Sequence, residues 1–188
     1  TGPGFNPNYL NAYNNLAVVL MQQGKLTEAE VCCHRALSLT PHSADAYNTL
    51  GNVFREQNKA TEAFACYQHA LELEPHFPEV LNNLGNVLKD QGKLSEAVAY
   101  FQRALAFSPN LVEAYNNLGS TLKEQGMVEE AIGYYRRSLA INPRADIHSR
   151  LLFNLNYLAE VDGATRFSEY QRFETQYATP LASSIQAL

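Results

Sequence analysis

One segment of this 188-residue chain recurs four times at a constant spacing of 34 residues, at 12–30, 46–64, 80–98 and 114–132. A leucine, an alanine and a proline mark the spacing: Leu16, Leu50, Leu84 and Leu118; Ala29, Ala63, Ala97 and Ala131; Pro41, Pro75, Pro109 and Pro143. A unit of this length cannot enclose a core by itself. The period therefore predicts an array in which each unit buries its apolar face against its neighbours.

Each unit is predicted to be a pair of helices. In the first helix, Tyr47, Leu50 and Phe54 show the apolar spacing of a helix. A polar turn follows, with a residue suited to a left-handed helix stop at Gly24, Asn58, Gly92 and Gly126. Capping hydroxyl residues are predicted to begin the second helix: Thr27, Thr61 and Ser95. The recurring proline then ends it, because proline cannot continue the hydrogen-bond ladder.

The repeated pattern combines an aromatic residue, Leu-Gly, and an alanine followed four residues later by an aromatic residue. It resembles the tetratricopeptide repeat (TPR) over residues 10–145, with Ala17, Leu81 and Ser138 as departures. The resemblance implies an all-α fold, a right-handed TPR solenoid of antiparallel helix pairs with a C-terminal helical cap. The predicted divisions are a tag remnant or end of a preceding repeat at 1–9, repeats at 10–43, 44–77, 78–111 and 112–145, capping helices at 146–179 and a tail at 180–188.

The segment 146–179 lies outside the phase of the repeats and is predicted to form two more helices. The second of these has an aromatic face composed of Phe167, Tyr170, Phe173 and Tyr177. Because a solenoid must cover its last apolar face, we expect these two helices to cap the array.

Asparagines recur in the first helix of every unit. The first row is Asn14, Asn48, Asn82 and Asn116, the second is Asn15, Thr49, Asn83 and Asn117, and a third row contains Asn52 and Asn86. Asparagine is a mediocre helix former, so helix propensity does not explain this repetition. An amide side chain offers the same acceptor and donors as a peptide group. We name these rows the asparagine ladder and predict that it binds the main chain of an extended peptide on the concave surface of the array.

Inter-repeat hydrogen bonding is the structural alternative for part of the ladder. Adjacent residues on a helix point about 100° apart, so the first and second rows cannot face one groove equally. The second row is predicted to line the groove. For the first row, groove lining and hydrogen bonding between repeats remain alternatives.

Composition argues against several other classes of protein. The net charge of -5 is unlike the basic surface of a nucleic-acid binder and does not favour an anionic membrane. The consecutive Cys32, Cys33 and His34 point in three directions on a helix and cannot converge on a metal ion, so no metal or cofactor is predicted. Three cysteines, two of them adjacent, make a poor disulfide framework and predict a cytoplasmic location.

The repeats are also similar to those of O-linked N-acetylglucosamine transferases and their SPINDLY-type relatives. A second segment resembles the junction between the repeats and the catalytic region in bacterial members of that family. The matching positions are His148, Ser149, Leu151, Leu152, Leu155, Asn156 and Tyr157. This resemblance implies the substrate-recognition arm of a glycosyltransferase, and no catalytic residues are predicted in the chain itself. The alternatives are a self-standing TPR adaptor and a self-assembling scaffold, with a homodimer formed by end-to-end or groove contacts.

Overall fold

The structure is a computed structural model that describes residues 7–158 and 161–180, with side chains from residue 11 onward. Within these residues it contains ten helices, α1 (Pro7–Gln22), α2 (Leu26–Leu39), α3 (Ala44–Glu56), α4 (Ala60–Leu73), α5 (Pro78–Asp90), α6 (Leu94–Phe107), α7 (Val112–Glu124), α8 (Val128–Ile141), α9 (Ala145–Tyr157) and α10 (Gly163–Phe173), and a π-helical turn follows at Glu174–Ala178. The described residues contain no strand. The predicted all-α architecture of packed helix pairs is confirmed.

The helices belong to two compact units. Unit 1, within residues 1–108, contains α1 to α6, and α1 packs with α2, α3 with α4, and α5 with α6. Unit 2, within residues 109–188, contains α7 packed with α8, and α9 in contact with both α8 and α10. No helix in the part of the chain that the structure describes is long and apolar enough to cross a membrane.

The predicted turns between paired helices have the expected left-handed residue. Asn58 has φ 60°, and Gly24, Gly92 and Gly126 have φ between 74° and 82°. The backbone N–H of the following residue donates to a carbonyl five residues back, as Lys93 does to Leu88 at 2.9 Å. This Schellman arrangement satisfies carbonyls that the helix end would otherwise leave unpaired.

The predicted N-caps of the second helices are wrong. These helices begin at Leu26, Ala60, Leu94 and Val128, and their N-cap residues are Lys25, Lys59, Lys93 and Met127, without a side-chain cap. Thr27 is therefore the second residue of α2 rather than its cap. The reason is the compact turn, since the helix resumes two residues after the left-handed position and leaves no extended residue for a hydroxyl cap.

The core of each pair is formed where a glycine of the first helix faces an aromatic side chain of the second. A Cβ added at Gly85 would lie 2.6 Å from Cε1 of Phe101, and one at Gly51 would lie 2.6 Å from Cε1 of Tyr67. Phe101 and Tyr67 are both fully buried. Glycine is thus required for the close approach of the two helices.

The shift in phase after the fourth repeat has a simple origin. α7 begins three residues after Pro109, whereas α9 begins two residues after Pro143. The positions of α9 therefore follow those of α7 by 33 residues rather than 34. In this register, Leu151 and Leu155 take the buried positions that Leu118 and Leu122 occupy in α7.

Candidate functional site

Three rows of the asparagine ladder meet in one hydrogen-bonded cluster of unit 1. The Nδ2 group of Asn83 donates to Oδ1 of Asn48 at 3.0 Å and to Oδ1 of Asn52 at 3.1 Å. The hydroxyl of Tyr67 donates to the same Asn52 oxygen at 2.7 Å. Burial raises the pKa of Tyr67, so its hydroxyl remains protonated as a donor. The cluster joins α3, α4 and α5 across two repeats.

This cluster links the two interpretations that the sequence left as alternatives. Asn83 belongs to the second row, yet its amide group bonds to a first-row residue of the preceding repeat. Asn48, Asn52 and Asn83 all remain half-buried rather than enclosed. Inter-repeat bonding and partial exposure therefore coexist in the same side chains.

Two ladder positions lie in the interior instead. Thr49 is 5% exposed, and its hydroxyl donates to the carbonyl of Asp45 in its own helix at 3.0 Å. Asn82 is 7% exposed. Neither side chain is available to an extended peptide in this structure.

The side-chain oxygen of Asn14 lacks a donor from the next repeat. Its Oδ1 atom is buried and has no hydrogen-bond partner. The residue that corresponds to the donor Asn83 is here Thr49, whose hydroxyl is already used within α3. The exchange of asparagine for threonine thus leaves the acceptor of Asn14 unsatisfied.

Asn15 and Asn86 have amide groups that the cluster does not use. Asn15 is exposed and Asn86 is half-buried, and the described residues give neither side chain a hydrogen bond. Asn86 occupies the position of Asn52, but the second helix of its repeat has Phe101 in place of Tyr67. Phe101 has no hydroxyl to donate, so the Asn86 amide keeps its full hydrogen-bonding capacity.

In unit 2 the ladder consists of Asn116 and Asn117 on α7, both half-buried. The Oδ1 atom of Asn116 is buried without a partner. The backbone carbonyl of Asn117 accepts from the hydroxyls of Ser120 at 3.0 Å and Thr121 at 2.7 Å.

The described residues offer no group of three or more His, Cys, Asp or Glu side chains placed to hold a metal ion. The two buried thiols are also poor nucleophiles. Burial raises the pKa of Cys33 to about 12 and that of Cys66 to about 11, so both are protonated at neutral pH. These cysteines act as small apolar core residues.

The family follows from comparison with known proteins. A family model described as the tetratricopeptide repeat matches residues 8–74 and 78–144, and the chain belongs to this family. TPR arrays are interaction modules for other proteins, and the fold assigns this chain to that class.

Solved structures extend the comparison. The chain is similar to PilF of Pseudomonas aeruginosa, with 24% identity, a TM-score of 0.81, and coverage of 92% of this chain and 77% of that one. It is also similar to YrrB, described as a TPR protein with an unusual peptide-binding site, with 25% identity, a TM-score of 0.66, and coverage of 92% and 90%. MamA is 18% identical, with a TM-score of 0.74 and coverage of 93% and 96%. No curated protein sequence matches the chain.

Proposed function

We propose that the chain binds an extended segment of another protein through amide side chains on its first helices. The observation that supports this proposal most is the arrangement around Asn83. Hydrogen bonds hold Asn48, Asn52 and Asn83 in fixed positions. Asn86, one turn after Asn83 on α5, and Asn15 on α1 keep unused donors and acceptors.

Such an arrangement suits main-chain recognition. Side chains that are held in place before binding lose little conformational entropy when a ligand arrives. Amide groups pair with peptide N–H and C=O groups of any sequence, so the site is expected to tolerate different side chains. The similarity to YrrB, whose description includes a peptide-binding site, is a further argument for a peptide ligand.

The test compares three unstructured peptides of the same composition by fluorescence anisotropy. One has a chosen sequence, one has that sequence scrambled, and one has N-methyl groups on alternate backbone nitrogens. We expect the first two to bind with similar Kd values and N-methylation to weaken binding at least about tenfold, because each methyl group removes a backbone donor. Equal binding of the methylated peptide would rule out main-chain recognition.

We further propose that these repeats form the substrate-recognition arm of a glycosyltransferase similar to the O-linked N-acetylglucosamine transferases. The junction-like residues His148 to Tyr157 support this reading, and they form the single helix α9. An antibody against the repeats should then detect a native product well above 21.0 kDa that transfers sugar to protein. A native product of about this mass favours the alternative of a self-standing cytoplasmic adaptor.

A homodimer is the remaining part of the proposal. On α1, Leu16 is 46% exposed and Val19 is 45% exposed, whereas the corresponding Leu50 and Val53 of α3 are buried. An apolar helix face of this kind supports contact with another helix pair, including one from a second copy of the chain.

A further inference from the structure

Two aromatic side chains on α9 are exposed side by side in unit 2. Phe153 is 47% exposed and Tyr157 is 66% exposed, and their ring centroids lie 4.9 Å apart. They occupy consecutive turns of the helix, on one face. Exposed aromatic groups that touch one another are typical of the centres of protein interfaces.

Two cations border this aromatic pair. The ammonium group of Lys123 on α7 lies 4.7 Å from the ring centroid of Phe153. Arg150 precedes Phe153 by one turn of α9, and its side chain hydrogen-bonds with Tyr135. Among the described residues, neither Lys123 nor Arg150 forms an ion pair with a carboxylate.

The acidic side chain that acts on Tyr135 already has an interaction partner. Glu124 acts electrostatically on Tyr135, the residue that also contacts Arg150, but Glu124 already has an interaction partner of its own. The surface of Lys123, Arg150, Phe153 and Tyr157 therefore has a positive edge beside an apolar area. We name it the α9 surface.

The helix register relates the α9 surface to the asparagine ladder. With the offset of 33 residues, Arg150 takes the position that Asn117 has in α7, and Phe153 takes that of Ser120. These are the second and third ladder rows. Unit 2 thus presents amide and hydroxyl groups on α7 and a cation with an aromatic ring at the corresponding positions of α9.

We propose that the α9 surface binds a peptide step in which an aspartate or glutamate lies next to an aromatic residue. The acidic side chain lies between Lys123 and Arg150, and the neighbouring ring packs on Phe153 and Tyr157. Carboxylate pairing with lysine and arginine and stacking of aromatic rings are the contacts that these four side chains offer. This inference rests on the proposed function, because it assumes that the chain binds extended peptides and names the kind of sequence that unit 2 prefers.

The test uses fluorescein-labelled peptides of about 12 residues, which span ~40 Å when extended. Each is amidated at its C-terminus, so that only side-chain carboxylates contribute. The first peptide has a central Asp-Phe-Asp step, the second has Asn-Phe-Asn, and the third has Asp-Ala-Asp. We expect the first to bind about tenfold more tightly than either control at low salt, and the advantage over Asn-Phe-Asn to shrink as salt is raised.

Variants of the α9 surface identify the side chains that cause each peptide preference. Lys123→Gln and Arg150→Gln together should remove the preference for Asp over Asn, and Phe153→Ala should remove the preference for Phe over Ala. Arg137→Gln is the matched control, because Arg137 lies 5.8 Å from the ring of Tyr134 in the same unit but on α8. Arg137→Gln should leave all three affinities unchanged, and circular dichroism verifies that every variant is folded.

Each outcome decides between the two proposals. Equal binding of the three peptides overturns the α9 surface and leaves main-chain binding intact. A preference for Asp-Phe-Asp that persists in the triple variant Lys123→Gln, Arg150→Gln and Phe153→Ala also overturns it. If no peptide binds, both proposals fail. If instead Phe153→Ala converts a dimer to a monomer while no peptide binds, the surface is a contact between two copies of the chain and the peptide proposal is wrong.

Discussion

At the scale of single residues, the first repeat differs from the later ones at both members of the glycine–aromatic pair that packs its two helices together. Later repeats pair a glycine with a large ring, as Gly85 does with Phe101. The first repeat has Ala17 and Cys33 at these two positions, and both are fully buried. By analogy with Gly85 and Phe101, we infer that the smaller Cys33 leaves space for the methyl group of Ala17. Both substitutions, Ala17 for glycine and Cys33 for the aromatic residue, are visible in the sequence. The packing of glycine against the ring in later repeats explains why they occur together.

A double-mutant cycle tests this compensation. Gly85→Ala is expected to lower the free energy of unfolding by about 1–3 kcal/mol through overpacking. Phe101→Cys is expected to lower it by about 2–4 kcal/mol through the cavity that it leaves. The double variant should cost less than the sum by at least about 0.5 kcal/mol, measured by urea unfolding. Strict additivity would show that the two sites do not compensate.

The unsatisfied oxygen of Asn14 gives a second prediction at this scale. Thr49→Asn places an amide at the position from which Asn83 donates in the next repeat. We expect the new hydrogen bond to raise the free energy of unfolding by about 1 kcal/mol. Thr49→Val, which removes the hydroxyl without adding a donor, is the control. Loss of stability in Thr49→Asn would contradict the account of the Asn14 oxygen.

At the scale of elements, the turns and the helix starts differ in how far the sequence predicts them. The left-handed residue was predictable because Gly24 and its equivalents are among the few residues that adopt positive φ without strain. The start of α2 was not, because the capping propensity of Thr27 is overridden by a compact turn that places the N-cap two residues earlier, at Lys25. Hydrogen bonding between repeats was one of two alternatives that the sequence left open for the first row, but the members of the Asn83 cluster were not predictable, since they depend on side-chain directions in packed helices.

Two glycine-to-alanine substitutions compare the effect on stability at a left-handed turn position with the effect inside a helix. Neither Gly92 nor Gly133 has a neighbouring atom within 4 Å of an added Cβ, so packing does not differ between them. Gly92→Ala forces alanine to φ 75° and should lower the free energy of unfolding by about 1 kcal/mol. Gly133→Ala, within α8, should raise it by up to about 1 kcal/mol because alanine is the better helix former. Equal effects in chemical unfolding would refute the turn assignment.

The contact of α10 with α9 is expected to weaken in acid. His148 is 1% exposed, lies 3.3 Å from Glu169 and contacts the rings of Phe173 and Tyr177. Burial lowers the pKa of His148 despite the nearby carboxylate. Protonation therefore favours the unfolded state, and the stability present above the ordinary histidine pKa of about 6.5 is lost as the pH falls below it.

Amide hydrogen exchange in α10 measures this effect. Exchange should accelerate, relative to its intrinsic rate, as the pH falls below about 6.5 in the wild-type protein. His148→Gln should flatten the dependence, whereas His34→Gln, at an exposed histidine in unit 1, should not. A dependence that survives in His148→Gln would assign it to another group.

At the scale of the whole molecule, the face of α1 predicts how copies of the chain associate. Leu16 and Val19 are exposed, so replacing them with Gln and Glu should change the free energy of unfolding by less than about 0.5 kcal/mol. If the homodimer uses this face, the mass measured by light scattering should rise with concentration only in the wild-type protein. A wild-type protein that remains monomeric at every concentration would exclude the end-to-end dimer.

The proposed binding of a peptide main chain by amide groups on the first helices is tested with variants of Asn15, Asn86 and Asn83, with affinity and stability measured on the same samples. Asn15→Ala with Asn86→Ala should weaken peptide binding about fivefold or more while changing the free energy of unfolding by less than about 0.5 kcal/mol. Asn83→Ala should lower the free energy of unfolding by about 1–3 kcal/mol, because it removes the donor to the Asn48 oxygen and leaves the Asn52 oxygen with the Tyr67 hydroxyl alone. Wild-type affinity in the Asn15 and Asn86 variant would contradict the claim and leave the ladder a purely structural feature.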